Sequence, residues 1–270
     1  MTNDVIAQRG LVLLGCGKMG SAMLAGWLKR GLPATSVWVQ DPYPSDWLKS
    51  SGVHINADLP AHPAIVLVAV KPQMMGDAVP NMAHMGGGET TFVSVAAGTP
   101  ISYFEKTLGA GTPVVRAMPN TPAAVGRGIT AIVSNAAGVG SLDMAEELLS
   151  AVGQTVRLEN EAQIDAVTGV SGSGPAYVFH MIETLAAGGV AQGLSPELAM
   201  QLAKATVAGA GALAEDADED PTQLRINVTS PNGTTQAALE VLMDEENGFP
   251  ALLPRAVAAA TRRARELADG

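Results

Sequence analysis

Short unbroken apolar runs, rather than alternating ones, mark the first part of the chain. Residues 11–14, 37–39, 65–70, 91–95 and 113–117 read as five strands. Continuous apolar character is expected of strands covered on both faces in a parallel sheet, whose neighbours are joined by helical crossovers. Pro, Gly or Asn punctuates the end of most of these runs. After Leu14 the period changes. Gly15-Cys16-Gly17-Lys18-Met19-Gly20 leads into a helical pattern with Ala22, Met23, Gly26, Trp27 and Leu28 that lasts until Gly31, so the order is strand, tight turn, helix. Residues 129–133 predict a further strand, and Ser141 predicts the N-cap of a helix carrying Leu142, Ala145, Leu148 and Leu149. Residues 156–158 would then close the sheet.

Beyond residue 161 the pattern turns to long helical stretches rich in alanine and glycine. Pro175 suits the first turn of a helix running to about residue 191, with Gly193 as terminator. Ser195-Pro196 repeats that logic for a helix reaching about residue 214. Residues 214–220 read as a solvated helix end and loop, and residues 234–245 and 250–267 as two more helices. Small residues permit close helix packing, and Met181, Met200 and Met243 read as core filler. The expected fold is therefore α/β: a Rossmann-like parallel-sheet domain over residues 1–160, then an all-α domain over residues 161–270. The apolar helices of the second domain suggest burial against another copy, as a homodimer or higher homo-oligomer.

Composition narrows the function. A chain of 270 residues that is 47% hydrophobic and 16% charged is globular, and its length fits two domains. Its net charge of −10 lies mostly in the second half: residues 1–160 carry 10 basic and 11 acidic residues, and residues 161–270 carry 6 and 15. The one tight basic cluster, Arg262, Arg263 and Arg265, does not make a phosphate-tracking groove, so nucleic acid is not an expected partner. Cys16 is the sole cysteine, and His54, His62, His84 and His180 lack a metal-binding spacing, so neither a disulfide nor a metal is expected. Without a signal-like start or an apolar run long enough to span a bilayer, the chain reads as soluble and cytoplasmic, with no membrane partner.

Gly15-x-Gly17-x-x-Gly20 gains meaning from its place between a strand and a helix. The first glycine allows the tight turn, the second lets a pyrophosphate approach the backbone, and the third lets helix and strand pack closely. The helix start then offers N–H groups to the phosphates, with Lys18 and Met19 in its first turn. Asp41 lies 21 residues after Gly20, where a carboxylate accepts the ribose hydroxyls of NAD, and residues 40–48 hold no Arg or Lys for a 2′-phosphate. This points toward NADH, although Asp before Pro is also ordinary turn chemistry. Val70-Lys71-Pro72-Gln73, Ala96-Ala97-Gly98 and Met118-Pro119-Asn120-Thr121-Pro122 fall at the same predicted sheet edge, where ligands of open α/β sheets bind.

In the second domain, Ser171-Gly172-Ser173-Gly174-Pro175 and Thr229-Ser230-Pro231-Asn232-Gly233-Thr234-Thr235 each set hydroxyls and amides before a helix, which suits a carboxylate or simple capping. β-Hydroxyacid dehydrogenases place a catalytic lysine and an asparagine after a comparable Gly169-x-x-Gly172-x-Gly174. Here Val178 and Ile182 stand in their places, so a general acid for alcohol–carbonyl chemistry is missing.

Taken together these segments resemble the pyrroline-5-carboxylate reductase family, which completes proline biosynthesis. The resemblance covers essentially the whole chain. It includes Ala69-Val70-Lys71-Pro72, Ser94-Val95-Ala96-Ala97-Gly98, Arg116-x-Met118-Pro119-Asn120-Thr121-Pro122, the stretch from Asp165 to Tyr177, Leu224-Arg225, and Val228-x-Ser230-Pro231-x-Gly233-x-Thr235. It implies NADPH or NADH as cofactor and a small imino acid as substrate. It also implies that Asn56, Ala69 to Pro72, Ala96 and Ala97 line the cofactor site, and that Ser230 to Thr235 hold the substrate. Gly15, Gly17 and Gly20 would seat the pyrophosphate, and Asn120 and Thr121 would flank the nicotinamide. The amides of Asn232, Gly233 and Thr234 would bind the substrate carboxylate, and the Thr235 hydroxyl would orient the ring nitrogen. Asn232 stands where the family has glycine, in a turn glycine enters more easily. Another imine or β-hydroxyacid reductase, or a non-catalytic NAD(P)-binding sensor, are the alternative readings.

Overall fold

The computed structural model describes residues 2–269. Among them, eight strands form one sheet: β1 (Leu11–Leu14), β2 (Val37–Gln40), β3 (His54–Ile55), β4 (Ile65–Val68), β5 (Thr91–Ser94), β6 (Val114–Met118), β7 (Gly128–Ser134) and β8 (Gly153–Arg157). Their order is β3-β2-β1-β4-β5-β6-β7-β8. Strands β1 to β6 run parallel, as the unbroken apolar runs of all but β3 predict. Side chains on β1 and β4 alternate between two buried layers. Leu11, Leu13, Ile65 and Leu67 enter one, and Val12, Leu14, Val66 and Val68 enter the other. Burial on both faces removes any reason for a polar alternation.

The expectation of an all-parallel sheet needs correction at β7, which runs antiparallel to β6. Only residues 119–127 join these strands, too few for the dozen-residue crossover a parallel pair requires. β8 then pairs parallel to β7. The two-residue β3 was missed by the sequence reading, because His54–Ile55 is too short to show a period.

The helices are α1 (Thr2–Arg9), α2 (Lys18–Lys29), α3 (Asp46–Ser50), α4 (Met75–Ala78), α5 (Ile101–Leu108), α6 (Leu142–Leu149), α7 (Gln163–Val167), α8 (Gly174–Ala191), α9 (Pro196–Asp216), α10 (Pro221–Asn227), α11 (Thr234–Leu242) and α12 (Phe249–Asp269). The Trp27 indole N–H on α2 donates to the carbonyl of Leu148 on α6 at 2.9 Å, tying two helices of one layer. Ser141 precedes α6 but makes no cap bond. Its hydroxyl instead pairs with that of Thr91 at 2.8 Å. Ser195 does cap α9, through the Leu198 amide. Asp220 caps α10 by the same Asx/Ser-before-Pro logic, in a stretch expected to be loop.

The chain divides into two compact units: residues 1–172 with 260–270, and residues 173–259. This differs from the boundary expected at 160. Residues 161–172 stay with the first unit because Glu161 Oε1 accepts from Arg116 Nη1 at 2.7 Å and from the Ile101 amide at 2.8 Å. Ile164 is also buried in the Val12–Leu14 layer. In the second unit the buried cluster is Ala186, Ala199 and Ala203, with Ile182 and Met200 packed on it. Small residues do let α8 and α9 approach closely, since a Cβ on Gly189 would sit 3.2 Å from that of Ala199. Met181 and Met243, expected in the core, are exposed. The Met243 sulfur instead accepts from Arg225 at 3.3 Å.

Candidate functional site

The glycine turn sits where β1 ends and α2 begins, at the point where strand order reverses between β1 and β4. Crevices at such switch points take ligands in open α/β sheets. Gly15 has φ +86°, a left-handed conformation that favours glycine. A Cβ on Gly20 would lie 2.4 Å from the Gly15 carbonyl oxygen, whereas one on Gly17 would meet nothing within 4 Å. The three glycines therefore do different work: one turns the chain, one packs against the turn, and one leaves the backbone open on its outer side. An open cradle opening a twelve-residue helix fits a pyrophosphate, with the first amides of α2 facing it. Lys18 is exposed and Met19 half-buried in that first turn.

Asp41 follows β2 and reaches back to this turn. Its Oδ2 accepts from the Cys16 amide at 2.7 Å, and its Oδ1 from the Tyr43 amide at 2.8 Å. Asn56 clamps the same residue from β3's end. Its side chain accepts from the Asp41 amide at 2.9 Å and donates to the Asp41 carbonyl at 2.8 Å. Asn56 adopts φ +51° to do so. These residues border a cavity of about 570 Å³ that Val70 also lines. Ala69 and Val70 are half-buried at the end of β4, Lys71 and Pro72 are exposed, and Ala96 is buried while Ala97 is exposed just after β5. All lie on the edge of the sheet that the Gly-rich turn occupies.

Asn120 belongs to that edge but has a structural task. It is 9% exposed, and its side-chain carbonyl accepts from the Ile129 amide at 3.0 Å, holding the start of β7. Thr121, next to it, is exposed.

Cys16 lies inside the turn, and burial, with a smaller contribution from the negative charge of Asp41, pushes its thiol up to about 11 from 9.0. Since the thiolate is the nucleophile, alkylation of the folded protein by iodoacetamide at pH 8 should be far slower than that of the denatured chain. Equal rates would contradict this burial. The folded state also holds the proton more tightly than the unfolded chain. That stabilisation is fully present below pH 9 and is lost as pH climbs through about 11.

The two loops predicted to precede helices differ in structure. The stretch expected to open α8 as a loop is a π-helical turn over Thr168–Gly172 that runs directly toward α8. The Ser171 hydroxyl donates to the Val167 carbonyl at 3.2 Å, and Ser173 makes no cap bond. Ser171 is therefore engaged by its own turn, while Ser173 holds the N-cap position of α8 without a capping bond. The other loop lies before α11. Gly233 is its N-cap residue, and Thr235 sits half-buried in the first turn. Asn232 takes φ +56°, the left-handed conformation expected for a residue standing in a glycine position, and one that asparagine tolerates better than most side chains.

Two of the three amides assigned to a carboxylate are engaged inside the protein. The Asn232 amide donates to Gln236 Oε1 at 2.7 Å, and the Gly233 amide to the Ser230 carbonyl at 3.0 Å. The helix-start amides without an intrahelical carbonyl are those of Thr234, Thr235 and Gln236, since the first helical bond runs from the Ala237 amide to the Gly233 carbonyl. Gln236 was missed in the sequence reading, although its place three residues after the N-cap is that of a capping-box glutamine. Replacing it with leucine removes the acceptor that pins Asn232. The expected result is a rise of about fivefold in KM for the substrate, matching one ordinary hydrogen bond, with kcat little changed. A Gln236→Leu protein with unaltered KM would show that the pin is dispensable.

Among the described residues no group of His, Cys, Asp and Glu could hold a metal ion, and no helix is long and apolar enough to cross a membrane.

Comparison with known proteins decides which family the chain belongs to. Residues 161–267 match the family model for pyrroline-5-carboxylate reductase dimerisation, and residues 10–98 that for NADP oxidoreductase, coenzyme F420-dependent. A pyrroline-5-carboxylate reductase of Pseudomonas aeruginosa is 40% identical over 266 residues, covering 96% of this chain and 97% of that one. The chain belongs to the pyrroline-5-carboxylate reductase family. The solved pyrroline-5-carboxylate reductase of Coxiella burnetii superposes with a TM-score of 0.90 at 32% identity, covering 96% of this chain and 98% of that one. The pyrroline carboxylate reductase of Plasmodium falciparum, solved with NADP bound, gives 0.82 at 28%, with the same coverage. Family membership agrees with the absence of a lysine at Val178: this family is not the β-hydroxyacid dehydrogenase family that its helical loop superficially resembles.

Proposed function

We infer that this chain reduces 1-pyrroline-5-carboxylate to L-proline with a reduced nicotinamide dinucleotide. The observation that carries this reading is identity of 40% to a pyrroline-5-carboxylate reductase over nearly the whole of both chains. When bound, the dinucleotide supplies the hydride that adds to C5 of the imine. Gly15, Gly17 and Gly20, with the first amides of α2, would hold its pyrophosphate, and Asp41 and Asn56 its adenosine ribose. Thr234 and Thr235 offer amides at the start of α11 to the substrate carboxylate, and the helix dipole favours an anion there. The Thr235 hydroxyl orients the ring nitrogen. A protonated iminium is already electrophilic, so the residues need only bind and orient it, and neither a metal nor a strong acid has to be supplied.

The second unit also supports a homo-oligomer. A unit of residues 173–259 whose fully buried cluster is three alanines leaves Phe179 59% and Val241 72% exposed. That much apolar surface marks a protein contact. Light scattering should return a mass of two chains or a multiple, and a mass equal to one chain would defeat the idea. A steady-state assay with pyrroline-5-carboxylate tests the activity itself. Dinucleotide oxidation with the imine and none with β-hydroxyacids is the expected outcome, and binding of dinucleotide without turnover of any imine would leave a sensor instead.

A further inference from the structure

We propose that this enzyme selects NADH over NADPH, with Asp41 as the specificity-determining residue. The proposal rests on the reading above that the Gly-rich turn holds a reduced dinucleotide. In that placement the pyrophosphate lies at the start of α2, and the adenosine ribose falls at the end of β2, where Asp41 stands. The carboxylate is not a mobile surface group. Two backbone amides, from Cys16 in the turn itself and from Tyr43, fix its oxygens, and Asn56 holds its backbone from both sides. A carboxylate held at that point accepts the ribose hydroxyls, and it repels a 2′-phosphate.

The lining of the neighbouring cavity supplies no cation to offset that repulsion. The cavity beside Asp41 is also lined by Asp58, and its lining contains no lysine, arginine or histidine. The nearest cation in sequence, Lys49 on α3, pairs with Asp46 at 3.1 Å. A 2′-phosphate would therefore add its charge to two carboxylates without a partner, whereas a 2′-hydroxyl would find an acceptor. The Plasmodium falciparum relative was solved with NADP bound on the same fold, so the sheet itself does not exclude a 2′-phosphate.

The test is direct binding as well as turnover, with the full-length enzyme. Titrations of NADH and NADPH, followed by dinucleotide fluorescence, should give a dissociation constant at least about tenfold lower for NADH. Asp41→Ser and Asp41→Asn, the latter keeping the shape of the side chain, should tighten NADPH about tenfold or more and weaken NADH severalfold. Equal or tighter binding of NADPH by the wild type would overturn the proposal, as would an unchanged ratio in both variants. Should the variants fail to fold by circular dichroism, the wild-type ratio still decides. Preferential NADH binding without imine turnover would end the assigned reaction but leave this inference standing. Imine turnover with NADPH favoured would do the reverse, and failure of either dinucleotide to bind would end both.

Discussion

Thr235→Ala should lower kcat/KM for pyrroline-5-carboxylate by roughly 10- to 150-fold while leaving the dissociation constant of the dinucleotide unchanged. The argument starts from position. Thr235 is the second residue of α11, half-buried, behind a turn whose geometry is set by Asn232 in its left-handed conformation and by the Gln236 pin. Its hydroxyl lies in the first turn of that helix, and the role proposed for it is to orient the ring nitrogen of a bound imine. A hydrogen bond to a charged group contributes about 1.5 to 3 kcal/mol, which converts to the stated range. Removing the hydroxyl does not touch the Gly-rich turn, so cofactor affinity should not follow. Thr235→Ser, which keeps the hydroxyl, should recover most of the loss. An unchanged kcat/KM in the alanine variant would take Thr235 out of the mechanism.

A second pair of substitutions separates packing from binding inside the Gly-rich turn. Gly20→Ala places a methyl 2.4 Å from the Gly15 carbonyl oxygen. That neighbour is backbone and cannot rotate away, so the turn itself must open. Overpacking of this kind costs about 1 to 3 kcal/mol, read as a fall of several degrees in Tm. Gly17→Ala is the contrast. Its φ of −68° suits any residue, and no atom lies within 4 Å of the added methyl, so Tm should hold. The methyl would stand where a pyrophosphate must approach the backbone, and dinucleotide binding should weaken about tenfold, or 1.4 kcal/mol. Undiminished binding by Gly17→Ala would mean that no phosphate rests on this turn.

How far each feature could be read in advance depended on how local its cause is. Ser195 before Pro196 announced α9 because an N-cap bond spans three residues. Asp220 before Pro221 announced α10 by the same rule, and only the surrounding run of acidic residues hid it. The 232–236 pin is equally local, and a glutamine three places into a helix was the available sign. By contrast, the expected cap at Ser141 failed because Thr91, fifty residues away in sequence, supplies the hydroxyl's partner. Likewise Met243 looked like core from its composition alone. Whether a helix face is covered depends on its neighbours, and here it is exposed.

The chain's own pattern determined the strands β1, β2, β4, β5 and β6, the glycine turn and the hydroxyl-bearing loop before α11, because each rests on short-range causes: burial of both faces of a strand, a left-handed φ, and a helix start. Only the tertiary structure decided that β7 runs antiparallel, that Glu161 and Ile164 stay with the first unit, and that the Asp41 carboxylate locks onto the Cys16 amide. The last of these follows from the register that sets Leu14 beside Gln40 across β1 and β2. A contact between residues 25 apart exists only once the sheet has aligned their strands, and no local preference encodes that alignment.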